Sequence, residues 1–250
     1  MNRLAVIIVN RNCLNYTKNL MKNLSVQTNR SFDIFLIDNA STEPGTEEFL
    51  SQIEGNTPHR VVRNRQNISL NKIWNQYASN TAYDFVSLLN NDIVIPENFI
   101  DDTLKIFNEQ KLVTCVIHAT NHPNYSTVKS KLDYVLLDPK QRVRQGWDLT
   151  IRTHNWINIP PSLQFYCGDD FIYEMIRRKN LRIAVALSSP IIHYQGQTRK
   201  NSSKEEDSRI RNIALKDINE YKRLGYPHVW EQLSPYSNVL PTFKNFTHEK

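Results

Sequence analysis

Over about its first hundred residues the chain alternates apolar runs of strand length with amphipathic stretches of helix length. Residues 4–9, 32–37, 60–62 and 85–89 read as strands. Residues 14–26, 46–53, 69–79 and 97–107 read as helices, the first with Leu14, Thr17, Leu20, Met21 and Leu24 on one stripe. The run at 4–9 is continuously apolar, which suits a strand buried on both faces. Such alternation permits few folds. It predicts an α/β domain with a mostly parallel central sheet, right-handed crossovers and helices on both faces.

The second half is patterned differently. A strand is expected at 112–117. Residues 118–165 are then irregular and rich in Asn, His, Pro and aromatics, with short strands at 134–137 and 147–151. A helix at 169–178 and a strand at 183–187 follow. A last helix starts at Ser203 with a capping-box pattern, Glu206 standing three residues on, and stops at Gly225 and Pro227. The expected organisation is one domain over 1–200, split near 110 into two halves, with a C-terminal helical extension over 201–250.

Glycine is scarce. The six present (Gly45, Gly55, Gly146, Gly168, Gly196, Gly225) are scattered, which excludes a P-loop and a GxGxxG turn, so any nucleotide must be held by side chains and strand ends. Cys13, Cys115 and Cys167 lie far apart beside apolar residues and read as reduced core cysteines of an intracellular protein. No stretch is long enough to span a bilayer, and a cytoplasmic location is expected, the host cytoplasm for a phage-encoded chain. A net charge of +6 favours polyanions without requiring one.

Polar clusters end three successive strands: Asn10-Arg11-Asn12, Asp38-Asn39 and Asn90-Asn91-Asp92. Asn and Asp favour turns for backbone reasons of their own, and each cluster alone is explained that way. Three of them at the carboxyl ends of parallel strands would line one edge of one sheet, where α/β proteins bind ligands. Asn90 and Asp92, at i and i+2, would present two oxygen ligands on one side, an arrangement suited to a hard divalent cation. Gly168-Asp169-Asp170 opens a helix, and His193 ends an apolar stretch.

In this order the clusters resemble glycosyltransferase family 2 and its GT-A fold over about residues 3–198. VIIVNRN is similar to the family's opening strand and loop, with Asn10 and Arg11 on the donor side. LIDNAST resembles its nucleotide-binding second strand, with Asp38 and Asn39 at the base or ribose. NRQNISLNKIWN carries Asn67 and Asn75, with Ser69 where glycine is usual. LLNND resembles the metal-binding DXD-type motif, Asn90 standing at its first acidic place, Asn91 in the middle and Asp92 at its last. CGDDFIYEMIRRKNLRI is similar to the helix bearing the general base, and PIIHY puts His193 at a third metal-ligand place. Gly168 replaces the family's usual Glu and Phe171 a second acidic residue, which leaves both Asp169 and Asp170 open as the base.

The resemblance implies an inverting transfer from a nucleoside-diphosphate sugar, UDP-sugar favoured, to an acceptor hydroxyl. The cofactor would be Mn²⁺ or Mg²⁺ on Asp92, His193 and Asn90. For the acceptor it implies a glycan or lipid-linked saccharide. A hydroxymethylated base in phage-type DNA is the alternative, because Lys129, Lys131, Lys140, Arg142, Arg144 and Arg152 are interleaved with Tyr125, Tyr134, Trp147 and Trp156. A sugar-nucleotide-binding protein without catalysis, or a nucleotidyltransferase on a similar sheet, is a further alternative.

Overall fold

The computed structural model describes residues 3–55, 59–79, 82–120, 133–137, 145–194, 196–197 and 203–226. In chain order the elements are β1 (Leu4–Asn10), α1 (Leu14–Ser25), β2 (Phe32–Asp38), α2 (Thr46–Ile53), β3 (His59–Arg63), α3 (Leu70–Ala78), β4 (Phe85–Asn90) and β5 (Ile93–Val94). There follow α4 (Phe99–Glu109), β6 (Val113–Thr120), β7 (Tyr134–Leu136), β8 (Asp148–Arg152), α5 (Gly168–Arg178), β9 (Arg182–His193) and α6 (Lys204–Arg223).

The strands lie in the order β3-β2-β1-β4-β8-β6-β9-β5, with β7 also paired to β9. The first four are mutually parallel. β8 is antiparallel to both β4 and β6, and β9 runs parallel to β6. β1, β2, β3, β4, β6 and β9 therefore all point one way and bring their carboxyl ends to one edge. The antiparallel β8, inserted between β4 and β6, is a feature that strand periodicity does not reveal. Its amino end, rather than its carboxyl end, reaches the same edge.

Each face of the sheet carries its own apolar layer. One gathers Ile7, Ile37, Ile73, Trp74, Leu88, Phe171, Ile176 and Tyr221, under α3, α5 and α6. The other gathers Leu4, Ile8, Leu20, Leu24, Leu36, Leu50, Phe99 and Phe107, under α1, α2 and α4. This is why β1 reads as continuous apolar sequence: its alternate side chains go to different layers. Cys13, Cys115 and Cys167 are buried and unbridged.

One set of polar groups inside this core forms a paired network. His118, fully buried, places Nδ1 and its backbone N–H each 2.9 Å from Asp148 Oδ2. Its Nε2 lies 3.2 Å from Thr103 Oγ1, and Gln145 donates to both His118 O and Asp148 Oδ1. The network fixes where β8 begins. Arg152, expected among the basic residues of an acceptor surface, is instead structural. It donates to the carbonyls of Val113 and Phe107 at 2.8 and 2.7 Å and lies over the rings of Phe85 and Phe107. Lys129, Lys131, Lys140, Arg142, Arg144 and Tyr125 lie outside the described residues.

The last helix packs on the domain. Ser203 caps it by accepting the Glu206 N–H at 3.2 Å, and Glu206 pairs with Arg11 at 3.3 Å. Asp217, 3% exposed, accepts three successive backbone N–H groups, those of Gln164, Phe165 and Tyr166, at 3.1, 2.7 and 2.8 Å. These residues form the loop that leads into α5, so α6 holds the start of that helix in place. Asp217→Ala strands three donors and should cost about 3 kcal/mol, read as a shift of the urea unfolding midpoint. A loss below about 0.5 kcal/mol, the usual range for an inert surface change, would show that the loop is held by something else.

Candidate active site

At the shared strand edge the first cluster is a closed hydrogen-bond network. Asn10, at the end of β1, donates to Asp38 Oδ1 (2.9 Å) and Ser41 Oγ (3.0 Å). It accepts from Thr17 Oγ1 (2.8 Å) and from Asn91 Nδ2 (3.2 Å). Asn91 also donates to Thr17 at 3.0 Å. One carboxamide thus joins β1, β2, α1 and the β4–β5 turn.

Asn39 closes the neighbouring gap. Its Nδ2 donates to Asn67 Oδ1 and Ile68 O, both at 2.8 Å, and its Oδ1 accepts from Asn64 Nδ2 and Ile68 N at 3.0 Å. Arg11 turns back to the carbonyls of Asn39 (3.1 Å) and Ala40 (2.5 Å) as well as to Glu206. Asn10, Asn39 and Asn91 are buried; both side-chain groups of Asn10 and Asn39, and the Nδ2 of Asn91, are engaged in bonds that tie the loops together, as are Arg11 and Asn67. Ala40 has φ 60°, a left-handed value that costs an L-residue about 1–2 kcal/mol. The Arg11 bonds hold it there.

Asp38 is different. Oδ1 accepts from Asn10 and from Ser41 Oγ, and Oδ2 accepts the Ser41 N–H at 3.0 Å. A carboxylate offers about four lone-pair sites. One position, on Oδ2, carries no hydrogen bond among the described residues.

The β4–β5 turn and the end of β9 bring Asp92 and His193 together. Ile93 pairs with His193 across the antiparallel β5–β9 ladder, and the Tyr194 N–H donates to Asp92 O at 3.0 Å. His193 Nε2 then lies 3.2 Å from Asp92 Oδ1, both side chains being buried. The Asn90 carboxamide, half-buried, has no hydrogen-bond partner among the described residues. Among those residues no three His, Cys, Asp or Glu side chains converge. The donors present, a carboxylate, an imidazole and an amide oxygen, fit a divalent cation that takes its remaining ligands from water and phosphate.

Asp169 and Asp170, both in the first turn of α5, part ways. Asp170 is buried beside Cys167 and Tyr221. Burial pushes both of those groups up, with the Asp170 charge adding to it. Asp169 is partly exposed and lies against Gly146, where an added Cβ would fall 2.4 Å from its Oδ2. Trp147 follows immediately, and its ring stacks on His193 with centroids 4.7 Å apart. The segment 146–147 therefore links Asp169 to the Asp92–His193 pair. Beside that pair, Tyr194 is exposed and its ring lies 5.2 Å from that of Tyr16.

Gly168 has a local explanation. A Cβ there would meet Asn71 Oδ1 at 2.1 Å, so no side chain fits at this place while Asn71 stands in α3. Asn71 in turn donates to the carbonyls of Leu163 (3.1 Å) and Tyr166 (3.2 Å), in the loop that Asp217 caps. Sequence reasoning missed Asn71, Thr17 and Asp217. Asp217 alone left a signal, as an acidic residue on the apolar stripe four places from both Ile213 and Tyr221.

Comparison with known proteins settles the family. The model of "Glycosyl transferase family 2" matches residues 5–175. The chain belongs to glycosyl transferase family 2. It is a glycosyltransferase with the GT-A fold, built for a nucleotide-sugar donor. Among solved structures, S. aureus TarS 1-349 in complex with UDP-GlcNAc is similar at 16% identity and TM-score 0.63, covering 86% of this chain and 66% of that one. S. aureus TarS follows at 17% and 0.61, covering 80% and 38%. GalNAc-T7 with UDP, GalNAc and Mn²⁺ is similar at 15% and 0.60, covering 77% and 44%. The chain spans less than two thirds of each of these chains. No curated protein matches it by sequence. Among the described residues no helix is long and apolar enough to cross a membrane.

The Gly168–Asn71 contact is open to a double-mutant cycle. Gly168→Ala should cost about 1–3 kcal/mol through overpacking, and Asn71→Ala about 1–3 kcal/mol through the carbonyls it abandons. Combined, the two should cost less than their sum by at least about 0.5 kcal/mol, measured by denaturant unfolding. Strict additivity would show that Asn71 yields freely.

Proposed function

We propose that this enzyme moves a sugar from a nucleoside-diphosphate sugar, UDP-sugar first, to a saccharide hydroxyl in a single inverting displacement. One observation carries the reading: Asp92, His193, Trp147, Gly146 and Asp169 follow one another in contact along the edge where the strands end. A candidate cation ligand pair and a partly exposed carboxylate thus lie along one edge.

Asp92 and His193, with the Asn90 carboxamide oxygen, would hold a divalent cation, Mn²⁺ or Mg²⁺, which would supply Lewis-acid stabilisation of the charge on the departing diphosphate. The remaining Oδ2 position of Asp38 accepts a hydroxyl or N–H of the nucleoside. Asp169 takes the proton from the acceptor hydroxyl as that oxygen attacks the anomeric carbon from the face opposite the leaving group. Asp170 is packed away from the cleft and serves the α5–α6 contact.

A saccharide acceptor is favoured over DNA on two grounds. Arg152, the one described member of the basic set, is committed to the core, and the Tyr16–Tyr194 pair beside Asp92 offers the aromatic surface on which sugar rings stack. Acceptor binding should then vary little with salt. A steep loss between about 50 and 200 mM salt would point to phosphate contacts and a nucleic acid.

The reading is tested with a panel of UDP-sugars and Mn²⁺. UDP with Mn²⁺ should raise the melting temperature of the wild type, and Asp92→Ala should abolish the Mn²⁺-dependent part of that rise. Asp169→Asn should lower kcat by about 10²–10⁴ while donor affinity stays within about twofold. Gly146→Ala, which thrusts a methyl group at the Asp169 carboxylate, should lower kcat by about tenfold with little change in melting temperature, since the carboxylate can swing aside. A larger loss from Asp170→Asn than from Asp169→Asn would transfer the base to Asp170.

A further inference from the structure

Histidines that bind metals ordinarily donate their second ring nitrogen to a carboxylate, a carbonyl or water, and that bond fixes the ring. His193 lacks it. Its Nε2 faces Asp92, while Nδ1 is buried and has no hydrogen-bond partner among the described residues. The side chain is nonetheless only 9% exposed, and what lies against it is the indole of Trp147, at 4.7 Å between centroids and 29° between planes.

Trp147 is itself fixed at three points. Its indole N–H donates to Thr120 Oγ1 at 3.0 Å, at the end of β6. Its carbonyl accepts the Asn90 N–H at 2.9 Å, at the end of β4. Asp148, the next residue, is clamped by His118 and Gln145 in the core. The indole plane is therefore set by the central sheet, and the carbonyl of the same residue sets the backbone of Asn90.

We propose that Trp147 is the positioning residue of the cation site. It aims the His193 imidazole at Asp92 by ring stacking, and it holds Asn90 through its carbonyl. This rests on the cation role given above to Asp92 and His193. Trp147 touches no reacting atom, and its side chain acts through His193.

The experiment compares the wild-type chain with Trp147→Phe and Trp147→Leu. Mn²⁺ uptake is measured by the EPR signal of free Mn²⁺, with UDP present, and the His193 ring signals are followed by NMR without metal. Trp147→Leu should weaken Mn²⁺ binding about tenfold, the scale on which such supporting groups act, and shift the His193 ring signals downfield as the indole ring current is lost. Trp147→Phe, which keeps an aromatic plane, should stay within about threefold of the wild type even if Trp147→Leu folds poorly. Unchanged Mn²⁺ uptake and unchanged His193 signals in folded Trp147→Leu would overturn the assignment to Trp147 alone. Equal losses in the Phe and Leu variants would do the same. A wild-type chain that takes up no Mn²⁺ would overturn the cation reading and this inference with it.

Discussion

The strand edge depends on the bond between Asn10 and Asp38. Six co-directed strands end there, and the chain must leave each of them through a loop whose polar groups are partly shut off from water. Those groups need partners, because an unpaired buried polar group costs as much as several good contacts return. Asn10 offers both a donor and an acceptor at one point, and uses them on β2, α1 and the β4–β5 turn together. Once these loops are tied, Asp92 has a fixed place opposite the end of β9. An aspartate at position 10 would carry no donor and would set two carboxylates side by side.

A second dependence runs through the segment just before β8. Because β8 is antiparallel, its amino end arrives at the edge where its neighbours finish, and it brings Gly146 and Trp147 between α5 and β9. The pair of His118 and Asp148 holds that segment from inside the core. Small side chains then become functional: Gly146 leaves room for the Asp169 carboxylate, and Gly168 leaves room for Asn71. The absence of the family's acidic residue at 168 reads as a packing choice, since the space is already taken. The left-handed backbone of Ala40 and Cys167 sits in this same region, where strain is tolerated because surrounding contacts over-determine the loops.

The C-terminal helix belongs to the same system. Asp217 gathers three N–H groups of the loop that enters α5, and Glu206 meets Arg11 at the far end of the edge. A helix expected as an extension therefore supports both the start of α5 and the loop after β1. It does so by hydrogen bonds across some fifty residues of sequence for Asp217 and nearly two hundred for Glu206.

What the sequence determined by itself was periodic and local. Apolar runs and stripes placed β1 to β4 and α1 to α4 to within about two residues, and their alternation required a parallel sheet with polar clusters at one edge. The order of those clusters also pointed to the family. The tertiary structure alone decided which of the polar residues face one another. Asn10, Asn39 and Asn91 carry the same carboxamide as Asn90, yet they bond to neighbouring loops while Asn90 has no side-chain partner among the described residues and Asp92 meets His193. It also set Asp169 and Asp170 apart, one against Gly146 and partly exposed, the other buried beside Tyr221. The reason is physical: hydrophobic periodicity is written within a dozen residues, whereas a hydrogen bond's partner is set by chain segments that meet only when the sheet has closed.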